Sequence, residues 1–428
     1  MRKALAQGLN RHPLFQTLLA LRGNPRICVF TEPLWAIPNN LYAPYATLFM
    51  FQLGVSDAQI GWILSIGMVC QAIAALLGGV LSDKFGRRRT TFVADLLAWS
   101  LPCLIWAFSQ NAAWFLAAAV VNSLWQVTAT SWSCLLVEDC DPRQLVHVYT
   151  WCTVAGLLAV FFAPVSGVLV GRFTLIPVMR GLYLLSFFMM TAKFLLLYLC
   201  GTETAQGALR VQQTKGIGLF SLTLEYRGVL KAIFRSKPVL VALSVMVLLN
   251  ITSFLSSSFF ALYIVNDLGV PEGLVTAFPM VRAAVMLFFF FAVPGGGRAH
   301  FRRNMALGLG LYLLAQVLLL LAPKGGGSGA FAALGAYILL EAVGGAVVVP
   351  RKDSLVALFV DPNERARMMG MLTVIMLACS TPFGWIGGQL SALNRMLPFA
   401  LNFLLYLGCA ALVLCSKAVR GQDEALHD

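Results

Sequence analysis

The sequence predicts an all-α integral membrane protein with twelve transmembrane helices in two six-helix pseudo-repeats and both termini cytoplasmic. Three observations lead there. Of 428 residues, 59% are hydrophobic and only 11% charged, whereas a soluble domain is about one quarter charged. Apolar runs of about 20 residues, enough for a helix to cross about 30 Å of hydrocarbon, recur along the chain. The basic residues gather on alternate connections between those runs. The runs are continuously apolar rather than alternating, which excludes a barrel of short strands.

Taken in order, apolar runs bounded by charge, proline and glycine place spans at 28–53, 58–82, 90–109, 112–137, 145–170, 181–200, 238–264, 273–294, 305–322, 330–359, 368–391 and 398–416. An even number returns the chain to the side on which it began. On this map 23 of the 31 Lys and Arg fall on that shared side. Four (Arg172, Arg180, Lys324, Arg395) fall on the other, and four (Lys193, Arg282, Arg351, Lys352) lie within spans. The excess marks the shared side as cytoplasm. The expected organisation is a cytoplasmic segment 1–27, a bundle 28–200, a basic cytoplasmic linker 201–237, a second bundle 238–416 and a cytoplasmic tail 417–428. Residues 13–22 are expected along the membrane surface. The first residues lack a small-residue cleavage pattern, so no cleaved signal peptide is expected.

The formal charge of +13 reads as topology, because no soluble stretch is long enough to form a nucleic-acid-binding module. The ten cysteines sit mostly in apolar runs without metal-ligand spacing. His12, His147, His300 and His427 are scattered. No cofactor, metal or catalytic cluster is expected, and the chain is not read as an enzyme. The pieces PGGGR at 294–298 and KGGGSG at 324–329 lack the strand and helix of a phosphate loop and read as turns.

Two duplicated halves are indicated by ordered markers. Asp141-Pro142-Arg143 matches Asp361-Pro362-Asn363, Pro164 matches Pro382, and Phe85 matches Phe301, at offsets of 220, 218 and 216. Parallel six-helix repeats are a transporter architecture.

Charge is concentrated at residues 79–89, GVLSDKFGRRR. Gly79 suits close helix packing and Gly86 a turn with positive φ. Asp83, at the membrane edge, needs positive partners. The stretch resembles the signature of the major facilitator superfamily, G-x-x-x-D-[RK]-x-G-R-[RK]-[RK], filled here by Gly79, Asp83, Lys84, Gly86, Arg87, Arg88 and Arg89. The resemblance covers roughly residues 28–416. It implies a secondary transporter working by alternating access. It also implies that Asp83 rests against the start of the eleventh helix near Met368 to Gly370, and that a loop arginine reaches Glu138 and Asp139 at the end of span four. Such contacts would form when the cytoplasmic side is closed. The second-half copy, GGGRAHFRRN, has Arg298 and Ala299 where the aspartate would stand, which implies an asymmetric switch.

Polar stripes suggest a cavity. Span one carries Glu32, Trp35, Asn39 and Tyr42 on one face, with Asn40 beside them. Span four carries Asn122, Trp125, Gln126 and Trp132, span seven Asn250, Ser253 and Ser257, and span ten Glu341. Such groups are costly in lipid and should face a cavity or one another. The resemblance implies that spans one, four, seven and ten line the centre. Arg282 and Glu341 fall near mid-bilayer and are expected to pair. Glu341 and Glu32 are the proton-coupling candidates. Asp95, a turn or two inside span three, is read as snorkelling or pairing with nearby basic residues. Arg351, Lys352 and Asp353 are read as part of the cytoplasmic gate.

Two departures from family patterns bear on function. Asn122-Ser-Leu-Trp-Gln126 stands where proton-coupled members carry R-x-x-Q-G, so the arginine is missing. Ala163-Pro164-Val165-Ser166-Gly167-Val168 matches only half of the exporters' Gly-Pro-x-x-Gly-Gly. The expected function is efflux of an amphiphilic, drug-like compound, the alternative being uptake of a sugar-like or other polar metabolite by ion-coupled symport. The expected partners are a small-molecule substrate, a proton as candidate coupling ion and the lipid bilayer of the plasma membrane, with no nucleic acid. A monomer is expected.

Overall fold

The computed structural model describes residues 21–140, 145–218, 226–292, 301–359 and 365–416, and among them there is no strand. Eleven helices are long and apolar enough to cross a membrane, in the places of spans two to twelve: Asp57–Phe85, Arg87–Phe108, Ala112–Val137, Val148–Phe173, Leu175–Cys200, Lys237–Asn266, Glu272–Phe289, Arg302–Leu320, Ser328–Lys352, Met368–Leu393 and Leu397–Cys415. They are called helices two to twelve below. The place of span one is filled differently, by Gly23–Thr31, Pro33–Tyr42, a 3₁₀ turn Ala43–Tyr45 and Ala46–Gln52. Proline lacks a backbone N–H and its ring clashes with the preceding turn. Pro33 and Pro44 stand at the starts of two of these segments, while Pro38 lies within one.

The breaks between helices are sharper than hydropathy indicates. Helices two and three are separated by Gly86 alone, at φ 87°. The motif therefore lies mainly in the last turn of one helix and the first turn of the next. Helices five and six are separated by Thr174, at φ 68°. Arg180, placed in a connection by hydropathy, lies inside helix six and donates to the Ser109 carbonyl at 3.3 Å. A β-branched residue at positive φ is strained. Thr174→Gly should raise stability by about 1 kcal/mol, read as an increase in the melting temperature of the purified protein.

Helix two begins with a capping box, in which the Ser56 side chain accepts from Gln59 N–H and the Gln59 side chain accepts from Ser56 N–H. The first and second halves meet chiefly where helix two packs along helix eleven. A Cβ on Gly61 would lie 2.6 Å from the Gly384 carbonyl and 2.7 Å from Gly388 Cα. Gly384 and Gly388 form a G-x-x-x-G face, which lets two backbones approach closely. The linker is docked rather than loose: Val229 and Ile233 of its helix Tyr226–Arg235 are buried in the core of the second half.

Several sequence markers fall outside the described residues. These are the two Asp-Pro tripeptides, Arg298, Ala299, His12, His300, His427, the tail 417–428 and the side chains of His147, Phe301 and Asp353. The two repeat prolines differ in setting. Pro164 opens a helix segment after a break at Phe161 and Phe162, whereas Pro382 lies inside an unbroken helix.

Candidate transport cavity and its gates

The charged stretch at 79–89 is folded into a compact ionic cluster. Arg87 Nη1 lies 2.6 Å from Asp83 Oδ1, and its Nε and Nη2 each lie 3.2 Å from Glu138 Oε1. Three basic residues at a helix N-terminus oppose the helix dipole. The linker supplies the missing anion: Glu203 accepts from the backbone N–H of Arg87 at 2.7 Å and of Arg88 at 3.1 Å. Sequence reading missed Glu203, for which the only signal was an acid beside Thr204, a helix N-cap. Arg88 donates to the Tyr198 carbonyl at 2.8 Å and lies over its ring. Lys84 donates to the Ile217 carbonyl at 3.0 Å, and Asp139 accepts from Asn24 and Ala205. Arg89 is exposed. Close helix packing of the kind expected at Gly79 is present at Gly78, where a Cβ would lie 3.2 Å from the Gln126 carbonyl. Asp83 takes its described ionic partner from its own half, not from the start of helix eleven.

A cavity of about 520 Å³ straddles the halves. Asn40, Ala43, Pro44, Leu157 and Val160 come from the first half. The second half supplies Ser253, Ser256 and Ser257 of helix seven, Phe278 and Arg282 of helix eight, and Tyr337, Glu341 and Lys352 of helix ten. Arg282 Nη2 lies 3.3 Å from Glu341 Oε1, with side chains 42% and 13% exposed. That single contact is longer than a strong charge-assisted bond, and it leaves much of the guanidinium facing the cavity. Phe260 stacks on Tyr337 at 5.6 Å and provides an aromatic wall. The lining combines apolar surface with a few convergent polar groups, as in small-molecule sites.

Of the candidates read from sequence, the structure brings Asn40, Ser253, Ser257, Arg282 and Glu341 to this cavity. The others are placed elsewhere. Glu32 accepts from Lys193 Nζ at 2.8 Å inside the first half. Trp35 packs on Trp99, Trp99 on Trp125, and Tyr42 on Trp106 and Tyr183. Asn39 is half-buried and Gln126 is buried. Asn250 donates to Ser380 Oγ at 3.0 Å, tying helix seven to helix eleven. Asn122 donates to the Ala98 carbonyl at 2.7 Å, within a π-helical segment Leu96–Ser100 of helix three. A π-bulge disturbs the regular hydrogen-bond ladder, so the amide serves helix packing there. Helices five and eight, with Tyr312 of helix nine and Tyr406 of helix twelve, line it in place of helix four, whose Asn122 and Trp125 are spent on neighbours within the half.

The hydrogen bonds and ion pairs that Tyr45, Gln52, Asp57 and Ser65 make to the second half lie toward the end away from the linker. Asp57 accepts from Ser391 Oγ at 2.6 Å and from Arg395 Nε at 3.2 Å. Arg395 also pairs with Asp267 at 3.5 Å and covers the Phe51 ring at 4.7 Å. Ser65 donates to the Thr381 carbonyl at 2.7 Å and accepts from Trp385 N–H at 2.6 Å. Tyr45 donates to the Glu272 carbonyl at 2.8 Å, and Gln52 donates to the Glu272 carboxylate. Ala43, Pro44 and Val275 line the cavity next to Tyr45 and Glu272, so this clasp closes that end of it. Arg395 was read from sequence only as one of four basic residues on the far side. Its partners come from distant segments, so no local pattern announced them.

Residues 36–384 match the sequence profile of the Major Facilitator Superfamily. The chain belongs to that superfamily. Being a superfamily member with this helical architecture, it is a multi-pass membrane protein. Two curated relatives match parts of it: a niacin transporter of Acinetobacter baylyi, 37% identical over 89 residues, and the arabinose–proton symporter of Bacillus subtilis, 27% identical over 118 residues. Those stretches span 21% and 27% of this chain, and 20% and 23% of the relatives. Solved structures extend the likeness to the whole fold. A POT peptide transporter in complex with sulfate aligns with TM-score 0.70 at 15% identity, covering 94% of this chain and 95% of its own. The nucleoside transporter NupG aligns with TM-score 0.67 at 13% identity, covering 95% and 100%.

Proposed function

We propose that this superfamily member takes up a small polar organic solute carrying a carboxylate, binding it between Arg282, Lys352 and the aromatic wall of the cavity and releasing it by alternating access. The observation that carries this reading is the cavity itself. It lies between the halves, is of solute size, and has on its wall a guanidinium, Arg282, much of which faces the cavity. Phe260, Phe278 and Tyr337 offer ring faces, and the serines of helix seven offer hydroxyls. A monoanion or zwitterion with a flat apolar part matches that lining. The niacin transporter's name agrees with it, and the arabinose–proton symporter's name supports uptake coupled to an ion. Export, the first expectation from sequence, rested partly on tryptophans facing the solute. Trp35, Trp99 and Trp125 instead pack on one another, and the relatives reported above are not named as exporters.

The topology proposed is that of the basic-residue bias, with linker and termini in the cytoplasm, the Asp57–Arg395 clasp outside, and a monomer in the plasma membrane. In this reading the structure is closed on its outer face. The motif cluster at Asp83, Arg87 and Glu138 acts as the inner gate.

The test is a thermal-shift screen of the purified protein against nicotinate, benzoate, amino acids, dipeptides, arabinose and nucleosides. A ligand at one hundred times its Kd stabilises by about 2.7 kcal/mol. Aromatic or aliphatic monocarboxylates are expected to raise the melting temperature, and Arg282→Gln to abolish the shift. Shifts confined to neutral sugars or nucleosides, or a carboxylate shift unchanged in Arg282→Gln, would overturn the substrate class.

A further inference from the structure

A second group of buried charges lies in the first half, apart from the solute cavity. Lys193 of helix six donates to Glu32 at 2.8 Å, and both are almost fully buried. The Lys193 ammonium also lies 5.6 Å from the Trp35 ring and 5.7 Å from the Trp132 ring. Two indole faces thus offer the ammonium cation–π contact. Asp95 of helix three is 5% exposed and sits in the electrostatic field of both Lys193 and Glu32. Among the described residues, Cys28 of the first segment and Cys152 of helix five also face the cluster. It therefore contains, among the described residues, two carboxyl groups and one cation. Lys193 balances one carboxylate, and a second uncompensated charge in a low-dielectric interior is strongly disfavoured.

The local hydrogen bonding shows which acid is left over. Glu32 holds the direct bond to Lys193. Asp95 faces the Thr128 hydroxyl, whose one proton is donated to the Trp125 carbonyl at 2.9 Å. That hydroxyl has a single proton for the Trp125 carbonyl and the Asp95 carboxyl, so it supports a charge on Asp95 less than the direct Lys193 bond supports one on Glu32. Asp95 also immediately precedes the π-helical segment Leu96–Ser100, and π-bulges often mark functional sites.

We propose that Asp95, set against the Glu32–Lys193 pair, is a proton-binding site that holds one proton at neutral pH and exchanges it with water as the first half changes its exposure. The proton adds to a carboxylate oxygen of Asp95 to give the neutral acid and leaves as a hydrated proton. No other bond is made or broken. This moves the coupling role from Glu32 or Glu341, the candidates read from sequence, to a residue read from sequence as snorkelling or pairing with nearby basic residues. It goes beyond the transport proposal without depending on the identity of the solute.

Infrared difference spectroscopy between acidic and alkaline buffer, on full-length protein in lipid, tests it without a substrate. The wild type should show a carbonyl stretch from a protonated buried carboxyl, shifted in D₂O. Asp95→Asn should lose that band while keeping the balanced Glu32–Lys193 pair, and Glu341→Gln should keep it. Glu32→Gln guards against a misfolded first variant. It leaves Asp95 as sole counterion to Lys193, so Asp95 ionises and the band is lost again. A band that survives Asp95→Asn or Glu32→Gln, or that vanishes with Glu341→Gln, overturns the proposal, as does a wild type with no such band.

Discussion

Replacing Arg395 by alanine should open the end of the molecule that the structure shows clasped. Asp57 is 5% exposed, and its described acceptor bonds are to Ser391 and Arg395. Removing the guanidinium leaves a buried carboxylate with one hydroxyl, and breaking a buried pair costs about 3 to 5 kcal/mol. Arg395 is itself 22% exposed on its side chain, so water recovers part of that, and about 3 kcal/mol is the expected effect. This cost falls on the closed arrangement alone, where helices two and eleven meet. It corresponds to roughly a hundredfold shift toward a state in which they have parted. Spin labels at Leu53, half-buried, and Leu393, exposed, should report a longer distance population in Arg395→Ala. An unchanged distribution would mean that the ionic clasp contributes nothing to closure.

The second large effect is expected at Gly388. A Cβ there would lie 2.6 Å from Gly61 Cα and 2.8 Å from the Asp57 carbonyl. Both neighbours are backbone, so neither can turn aside as a flexible side chain would. Overpacking ordinarily costs about 1 to 3 kcal/mol, and Gly388→Val adds three carbons where one already collides. The halves must separate at this face, giving the same longer distance and a loss of alternation in any flux assay. Gly370 lies on the same helix with nothing within 4 Å of its would-be Cβ. Gly370→Ala should leave distances and melting temperature unchanged. A Gly388→Val protein indistinguishable from it would show that the close backbone approach is not maintained in the membrane.

Much of the architecture was legible because hydropathy is a local property. A helix crossing lipid must be apolar along its own length whatever it touches, so eleven of the spans could be placed from runs of residues. The proline-rich place of span one could not be read as well, because its pieces depend on where each missing N–H breaks the ladder. The motif at 79–89 disclosed Asp83 and Arg87 through its spacing, and the family resemblance it carries pointed to Glu138. It did not disclose Glu203, whose value lies in capping a helix end from a segment more than a hundred residues away. Arg282 and Glu341 could be paired because two opposite charges at similar depth have few other ways to avoid lipid. The same reasoning could not separate cavity from packing for Asn122, Trp125 or Gln126, since an amide facing a neighbour's carbonyl and one facing water satisfy the same requirement.

The sequence by itself determined that this is a helical membrane protein, where nearly all its helices lie, and which loop carries its signature. These follow from solvation and from residues close together in the chain. Only the tertiary structure decided that the cavity leans on the second half, that Asp57, Ser391, Arg395 and Asp267 form one clasp, and that Asp95 shares a buried site with Glu32 and Lys193. Each of these joins helices far apart in sequence, and which faces meet is fixed by packing between helices, which hydropathy along a single helix does not encode.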